Sequence, residues 1–187
     1  MHSINDDMER LRRSIEDVAY FANAFVRVTG PTGVNKIELN DFQKHVIDRY
    51  NKERNFFIPS ERQAGKTVVA AIILLHQALY REYTTSLIVT PKMVHGAHMI
   101  ELITEMYDYL PEYIASVKMS TRNKSKIEFE NGASIIAVGP NVEQCRGRTI
   151  TTIYIDESEW VPNLQDVYTY LLPTMASNNG AKIFELS

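Results

Sequence analysis

The sequence predicts an α/β fold, a mostly parallel sheet with helices on both faces. Three observations predict it. Short apolar runs alternate with longer segments of helical periodicity along most of the 187 residues, the pattern of strand–helix–strand units. A polar loop ending Gly65-Lys66-Thr67 lies between one such run and an apolar helix. A later run, Ile153-Tyr154-Ile155, ends in two adjacent carboxylates, Asp156 and Glu157.

The elements follow in chain order. Met8 to Val28 carries Leu11, Ile15, Val18, Ala19, Ala22 and Phe25 at helical spacing and reads as one helix, broken by Thr29-Gly30-Pro31-Thr32-Gly33. Residues 1–34 thus form an N-terminal helical arm, its apolar face available to the main domain or to a partner, and residues 35–187 form the main domain. Asn40 or Asp41 caps a second helix running to Glu53. Asn55 to Ile58 is a short buried strand, the loop Pro59 to Gly65 follows, and Lys66 to Tyr80 is a helix. Ser86 to Thr90 is a strand ended by Pro91, and Val94 to Leu110 a long helix. Lys126 to Glu130 and Ser134 to Val138 alternate around Asn131-Gly132, a hairpin signal. Thr152 to Ile155 leads to the carboxylates, Leu164 to Met175 is helical, and Lys182 to Leu186 is a last strand.

Composition sets bounds. Apolar residues are 44% and charged residues 23%, ordinary for a globular chain large enough to bury a core. A net charge of -3 gives no overall basic field, which leaves nucleic-acid contact to local patches. The single cysteine, Cys145, excludes an intrachain disulfide and fits a reducing compartment. The apolar runs are too short to span a membrane, and the charged N-terminus has no apolar signal core.

The chemistry concentrates in two places. Ser60-Glu61-Arg62-Gln63-Ala64-Gly65-Lys66-Thr67 ends as phosphate-binding loops end, with Ser60 where the general pattern has its first glycine. Ser60, Gln63, Ala64 and Gly65 line the loop, and Gly65 has no side chain to shield backbone N–H groups from an anion. Lys66 reaches β- and γ-phosphate oxygens, and Thr67 offers a hydroxyl to Mg²⁺ at the positive end of a helix. Alone, a Gly-Lys-Thr tripeptide is more readily a solvated turn; the flanking strand and helix and the downstream acids select the phosphate reading. Asp156, at a strand end, suits Mg²⁺, and Glu157 suits activation of water. Together the two halves describe a site for ATP hydrolysis. Arg62, inside the loop, is a candidate for neutralising charge on the γ-phosphoryl group in cis, and Arg146 or Arg148 for doing so in trans from a neighbouring subunit. Each is equally a solvated arginine or a DNA-phosphate contact. Phe42 and Gln43 suit adenine, one by stacking and one by pairing with its N6 and N7 edge.

At Leu39–Gln43 (LNDFQ), Ser60–Thr67 (SERQAGKT), Ile127–Ile135 (IEFENGASI), Arg146-Gly147 and Ile153–Asn163 (IYIDESEWVPN), the sequence resembles the ATPase domain of the large terminase subunit of tailed bacteriophages, especially the T4-like group. The loop without its first glycine, with Arg-Gln before the Gly-Lys-Thr end, makes the resemblance specific. It implies a RecA-like P-loop NTPase fold of the additional-strand, catalytic-glutamate class, with ATP and Mg²⁺ as cofactors. It implies a motor that moves double-stranded DNA into a procapsid through the portal protein, with the small terminase subunit as a further partner, in the host cell cytoplasm. Such motors assemble as rings, commonly pentamers, from chains that can be monomeric in isolation. By the same resemblance Lys66 and Thr67 hold phosphate and Mg²⁺, Asp156 holds Mg²⁺, Glu157 is catalytic, and Arg62 and Arg146 match proposed cis and trans fingers. Full-length members continue into a coupling motif and a metal-dependent nuclease. Lys182 to Leu186 matches the strand before that motif, and Ser187 its first residue. No second acidic cluster follows, so no DNA cleavage is expected of this chain.

Two other classes compete. Half of a superfamily 2 helicase-like ATPase would share the upstream glutamine, the loop, Thr90-Pro91 and the Asp-Glu pair, but such helicases usually keep glycine at the position of Ser60 and need a second RecA-like domain. A non-catalytic nucleotide-binding assembly module would bind ATP without turnover. The remaining residues read as structural: Cys145 as inert, Trp160 as a packing residue, and His76, His95 and His98 as lacking metal-ligand companions.

Overall fold

Asp17 divides the N-terminal apolar stretch in two. Its carboxylate accepts the N–H groups of Ala19 (2.8 Å) and Tyr20 (3.0 Å), which makes it the cap of a new helix rather than a residue inside one. The computed structural model, which describes residues 4–142, 145, 147–175 and 180–187, therefore has α1 (Ile4–Glu16) and α2 (Val18–Phe25) where the periodicity predicts one helix. The expected breaker at 29–33 is the turn of a hairpin, β1 (Arg27–Gly30) and β2 (Gly33–Lys36). Val18, Phe21, Ala22 and Phe25 of α2 share the principal core with α3, α4 and α5.

Next comes α3 (Asp41–Lys52), opened by a reciprocal cap in which Asn40 Oδ1 accepts the Gln43 N–H (2.8 Å) and Gln43 Oε1 accepts the Asn40 N–H (3.1 Å). β3 (Asn55–Ile58) leads through the polar loop to α4 (Lys66–Tyr80), which is buried on nearly every side and is the central helix. β4 (Thr85–Val89) and α5 (Met93–Asp108) follow. An unexpected strand, β5 (Met119–Arg122), precedes the hairpin of β6 (Lys126–Phe129) and β7 (Ser134–Val138). β8 (Thr152–Asp156), a short 3₁₀ turn (Ser158–Trp160), α6 (Leu164–Met175) and β9 (Lys182–Leu186) complete the order.

The seven-stranded sheet runs β3-β9-β8-β4-β7-β6-β5. β3, β9, β8, β4 and β7 are parallel, and β6 and β5 add antiparallel strands at one edge. The principal core places α2 to α5 on one face. A second core sets Val167, Leu171 and Met175 of α6 against Leu87, Val89, Ile153, Ile155 and Ile183 on the other. A sheet covered on both faces matches the expected class. Among the described residues no helix is long and apolar enough to cross a membrane.

Candidate active site

The period-two geometry of a strand decides where the acids point. In β8, Ile153 and Ile155 enter the α6-side core, whereas Tyr154 enters the principal core. Thr152 lies on that same side, where its hydroxyl donates to Gln77 Oε1 of α4 (2.8 Å). Asp156 therefore faces the side of the sheet on which α4 begins.

That helix begins at the loop. Gly65 is its N-cap residue, in the left-handed region (φ 87°, ψ 27°), and no side chain caps the first turn. Uncapped N–H groups at the positive end of a 15-residue helix suit an anion. Two side chains at the start of α3, its cap Asn40 and Gln43, brace the loop from behind: Asn40 Nδ2 donates to the Ala64 carbonyl (3.1 Å) and Gln43 Nε2 to the Gly65 carbonyl (3.2 Å). Any Cβ at position 65 would lie 2.5 Å from Gln43 Nε2, so glycine is required there by contact as well as by backbone angle. Ser60, in place of a glycine, has a use of its own. Its N–H (2.6 Å) and its hydroxyl (3.1 Å) both donate to the Ser187 carbonyl, fastening the loop to the end of β9.

Asp156 is 9% exposed. Burial raises its pKa; the hydroxyl of Tyr154, which donates to Oδ1 (2.7 Å), lowers it, Glu157 raises it, and Lys66 and then His95 lower it. The loop lysine and the strand acid thus share one electrostatic neighbourhood. Glu157 leaves the sheet differently. Its backbone is left-handed (φ 47°, ψ 51°), its N–H donates to Leu186 O (3.4 Å), and its carbonyl accepts from Trp160 N–H (2.8 Å). The Glu157 side chain is 44% exposed, while Asp156 stays buried. The two acids are adjacent in sequence and distinct in environment.

Other sequence-predicted residues fall variously. Lys66 and Thr67 are half-buried at the start of α4, and Arg62 and Gln63 are exposed on the loop. The Ala64 N–H turns back to Glu61 O (3.4 Å). Phe42 is half-buried against the core. Gln43 is buried, with both ends of its amide engaged by Asn40 and Gly65. Arg146 lies outside the described residues; Arg148 is exposed. Cys145 is buried, and burial pushes its thiol pKa up. Trp160, expected to pack, is 67% exposed, because the turn after Glu157 carries it to the surface, where its indole N–H meets Glu159 (3.0 Å). The sequence reading missed His95, whose Nδ1 lies 3.8 Å from Glu157 Oε2. No local spacing marks that contact; it exists because β4 and β8 are neighbours and their C-terminal extensions meet.

The donor set fits Mg²⁺ bound with a nucleotide. Thr67 supplies a hydroxyl and Asp156 a carboxylate, and among the described residues no group of three or more His, Cys, Asp or Glu forms an all-protein cage. Mg²⁺ takes one or two protein oxygens and completes its shell with phosphate and water.

Residues 61–180 match the family of the terminase large subunit, T4likevirus-type, N-terminal. Among solved structures, the chain is similar to the Thermus phage P74-26 large terminase ATPase domain, at 14% identity and a TM-score of 0.67, over 80% of this chain and 64% of that one. It is similar to the HK97 bacteriophage large terminase at 20% identity and a TM-score of 0.74, over 92% of this chain and 37% of that one. The large terminase of thermophilic bacteriophage D6E in complex with ATP-gamma-S matches at 15% identity and a TM-score of 0.56, over 80% and 38%. The UvsW helicase of bacteriophage T4 shares the fold at 13% identity and a TM-score of 0.59, over 99% and 60%. At these identities the likeness is one of fold, and this chain spans less than two thirds of each relative.

Proposed function

We propose, from the premise that this chain belongs to the T4likevirus-type terminase large subunit family, that it is the ATP-hydrolysing motor domain of a viral DNA-packaging terminase. One observation carries the reading: the uncapped start of α4 at Gly65 and the buried Asp156 at the end of β8 lie on the same side of the sheet, where the Lys66 charge favours the ionised Asp156 carboxylate. The D6E relative, captured with ATP-gamma-S, supports a nucleotide as the ligand.

In this mechanism the first-turn N–H groups of α4 and the Lys66 ammonium bind the β- and γ-phosphates. Thr67 and Asp156 hold Mg²⁺, which when bound neutralises charge building on the phosphate oxygens. Glu157 accepts a proton from a water whose oxygen attacks the γ-phosphorus as the bond to the β–γ bridging oxygen breaks, releasing ADP and phosphate. Either Arg62, exposed on the loop, in cis, or Arg146 of a neighbouring subunit in trans, supplies the positive charge that meets the γ-phosphoryl group. Phe42 and Gln43 are the residues this reading assigns to adenine, and Gln43 must release its bonds with the Asn40 N–H and the Gly65 carbonyl to pair with the base. Residues 1–34 serve as an arm and 35–187 as the ATPase domain. Double-stranded DNA, the portal protein, the small terminase subunit and further copies in a ring are the partners this reading implies, in the host cell cytoplasm.

The test is hydrolysis by the purified chain with and without duplex DNA. Lys66→Ala should abolish turnover and weaken nucleotide binding. Glu157→Gln should keep Mg-ATP binding while lowering kcat by about 10² to 10⁴-fold, the scale of a general base. Turnover at the wild-type rate by either variant refutes the assignment. Strand separation of the duplex would mark a helicase, and binding without turnover an assembly module.

A further inference from the structure

We propose that His95 is a positioning residue for Glu157, its ring holding one carboxylate oxygen so that the other faces the attacking water. This rests on the reading of Glu157 as the water-activating base. Three features carry it.

The Glu157 backbone is fixed by its left-handed conformation and by hydrogen bonds on both its N–H and its carbonyl. Its side chain, however, is 44% exposed and has three torsions to order. A general base must be held within a fraction of an ångström of its productive place, so it needs an anchor beyond its own backbone.

His95 is placed to be that anchor. Its Nδ1 is 3.8 Å from Glu157 Oε2, a small side-chain rotation from a charge-assisted hydrogen bond in which the imidazole N–H donates to the carboxylate. The contact joins the helix following β4 to the turn following β8, two strands that are direct neighbours.

The platform under His95 is rigid. At the adjacent Gly96, an added Cβ would meet Ala137 Cβ at 2.8 Å and Thr90 Oγ1 at 3.3 Å, so α5 lies against β7 without room to shift. The His95 N–H donates to Lys92 O (3.0 Å), and the Thr90 hydroxyl donates to the same carbonyl (2.9 Å). Helix, preceding loop and strand end are therefore tied to one another, and the imidazole hangs from them beside the carboxylate.

A residue acting this way changes the chemical step and leaves nucleotide binding alone. In the full chain, His95→Ala should lower kcat about tenfold, the scale of a modest misplacement, while the ATP KM changes less than twofold. His95→Gln, which keeps an N–H donor at similar reach, should recover most of the loss. His95→Ala added to Glu157→Gln should cost nothing more. Independently of turnover, the His95 ring resonances in a histidine-labelled NMR sample should move on Glu157→Gln and stay fixed on Glu159→Gln. An unchanged kcat in His95→Ala, a multiplicative loss in the double variant, or His95 resonances indifferent to Glu157→Gln would each overturn the proposal. If Glu157→Gln itself turns over normally, the role of Glu157 falls and His95 with it; if only His95→Ala does, His95 alone is refuted.

Discussion

Replacing Gly65 with alanine tests how tightly α3 braces the phosphate loop. Two penalties combine. A left-handed backbone costs a non-glycine residue about 1–2 kcal/mol. The new Cβ would also fall 2.5 Å from Gln43 Nε2, and Gln43 is 6% exposed with little space to retreat. Moving it breaks the bonds to Gly65 O and from the Asn40 N–H, at about 1 kcal/mol each. The total is about 3–4 kcal/mol, or a Tm lower by about 6–16 °C for a domain this size. Gly147→Ala is the control. Gly147 is also left-handed (φ 79°), but an added Cβ meets nothing within 4 Å among the described residues, so that variant carries the backbone penalty alone. Thermal and urea unfolding of both variants, and of Gly65→Ala in a Gln43→Ala background, separate the terms. Equal losses at positions 65 and 147 would refute the bracing, as would a Gly65→Ala penalty that stays undiminished, rather than falling to the backbone share of about 1–2 kcal/mol, once the Gln43 side chain is removed.

Tyr154→Phe removes a buried hydroxyl donated to Asp156. Losing a hydrogen bond to a charged group should weaken Mg-ATP binding by about 1.5–3 kcal/mol in calorimetric titration while the circular dichroism spectrum is kept. Gln77→Leu leaves the hydroxyls of Tyr50 and Thr152 without their shared acceptor, and urea denaturation should show a loss of about 2–4 kcal/mol. His76 is held neutral, its pKa pushed down from 6.5 to about 4 chiefly by burial, with Nε2–H donating to Ser14 O (2.8 Å). Because the unfolded chain binds the proton more readily, the stabilisation is full above pH 6.5 and declines as pH falls toward 4, by at most roughly 3 kcal/mol. Urea midpoints measured across that window should fall on acidification, and His76→Gln should flatten the dependence.

Elements with strong local signals were legible. The reach of α4 from Lys66 to Tyr80 follows from glycine before an unbroken apolar helix former, and the end of β8 from an apolar run meeting two acids. Segments whose order is set from outside were not. β1, β2 and β5 are mostly polar and exposed, so no alternation announces them. Asp17 sits in a helical apolar pattern and is read correctly only once its carboxylate is seen accepting two N–H groups. At the site, residue types and spacing pointed to Lys66, Thr67, Asp156 and Glu157, because strand and helix ends collect them. The contact of His95 with Glu157, the second use of Gln43 as a brace and the fastening of Ser60 to Ser187 depend on which strands become neighbours, and a linear pattern does not carry that.

Phe21 of α2 stands edge-on to His76 and Tyr80 along the back of α4. The amino-terminal arm is thus masonry rather than a handle. Deleting it to unmask a dock for some binding protein would strip the central helix of its lining, and any silence in a functional assay would then report collapse of the wall behind α4, not a missing handshake.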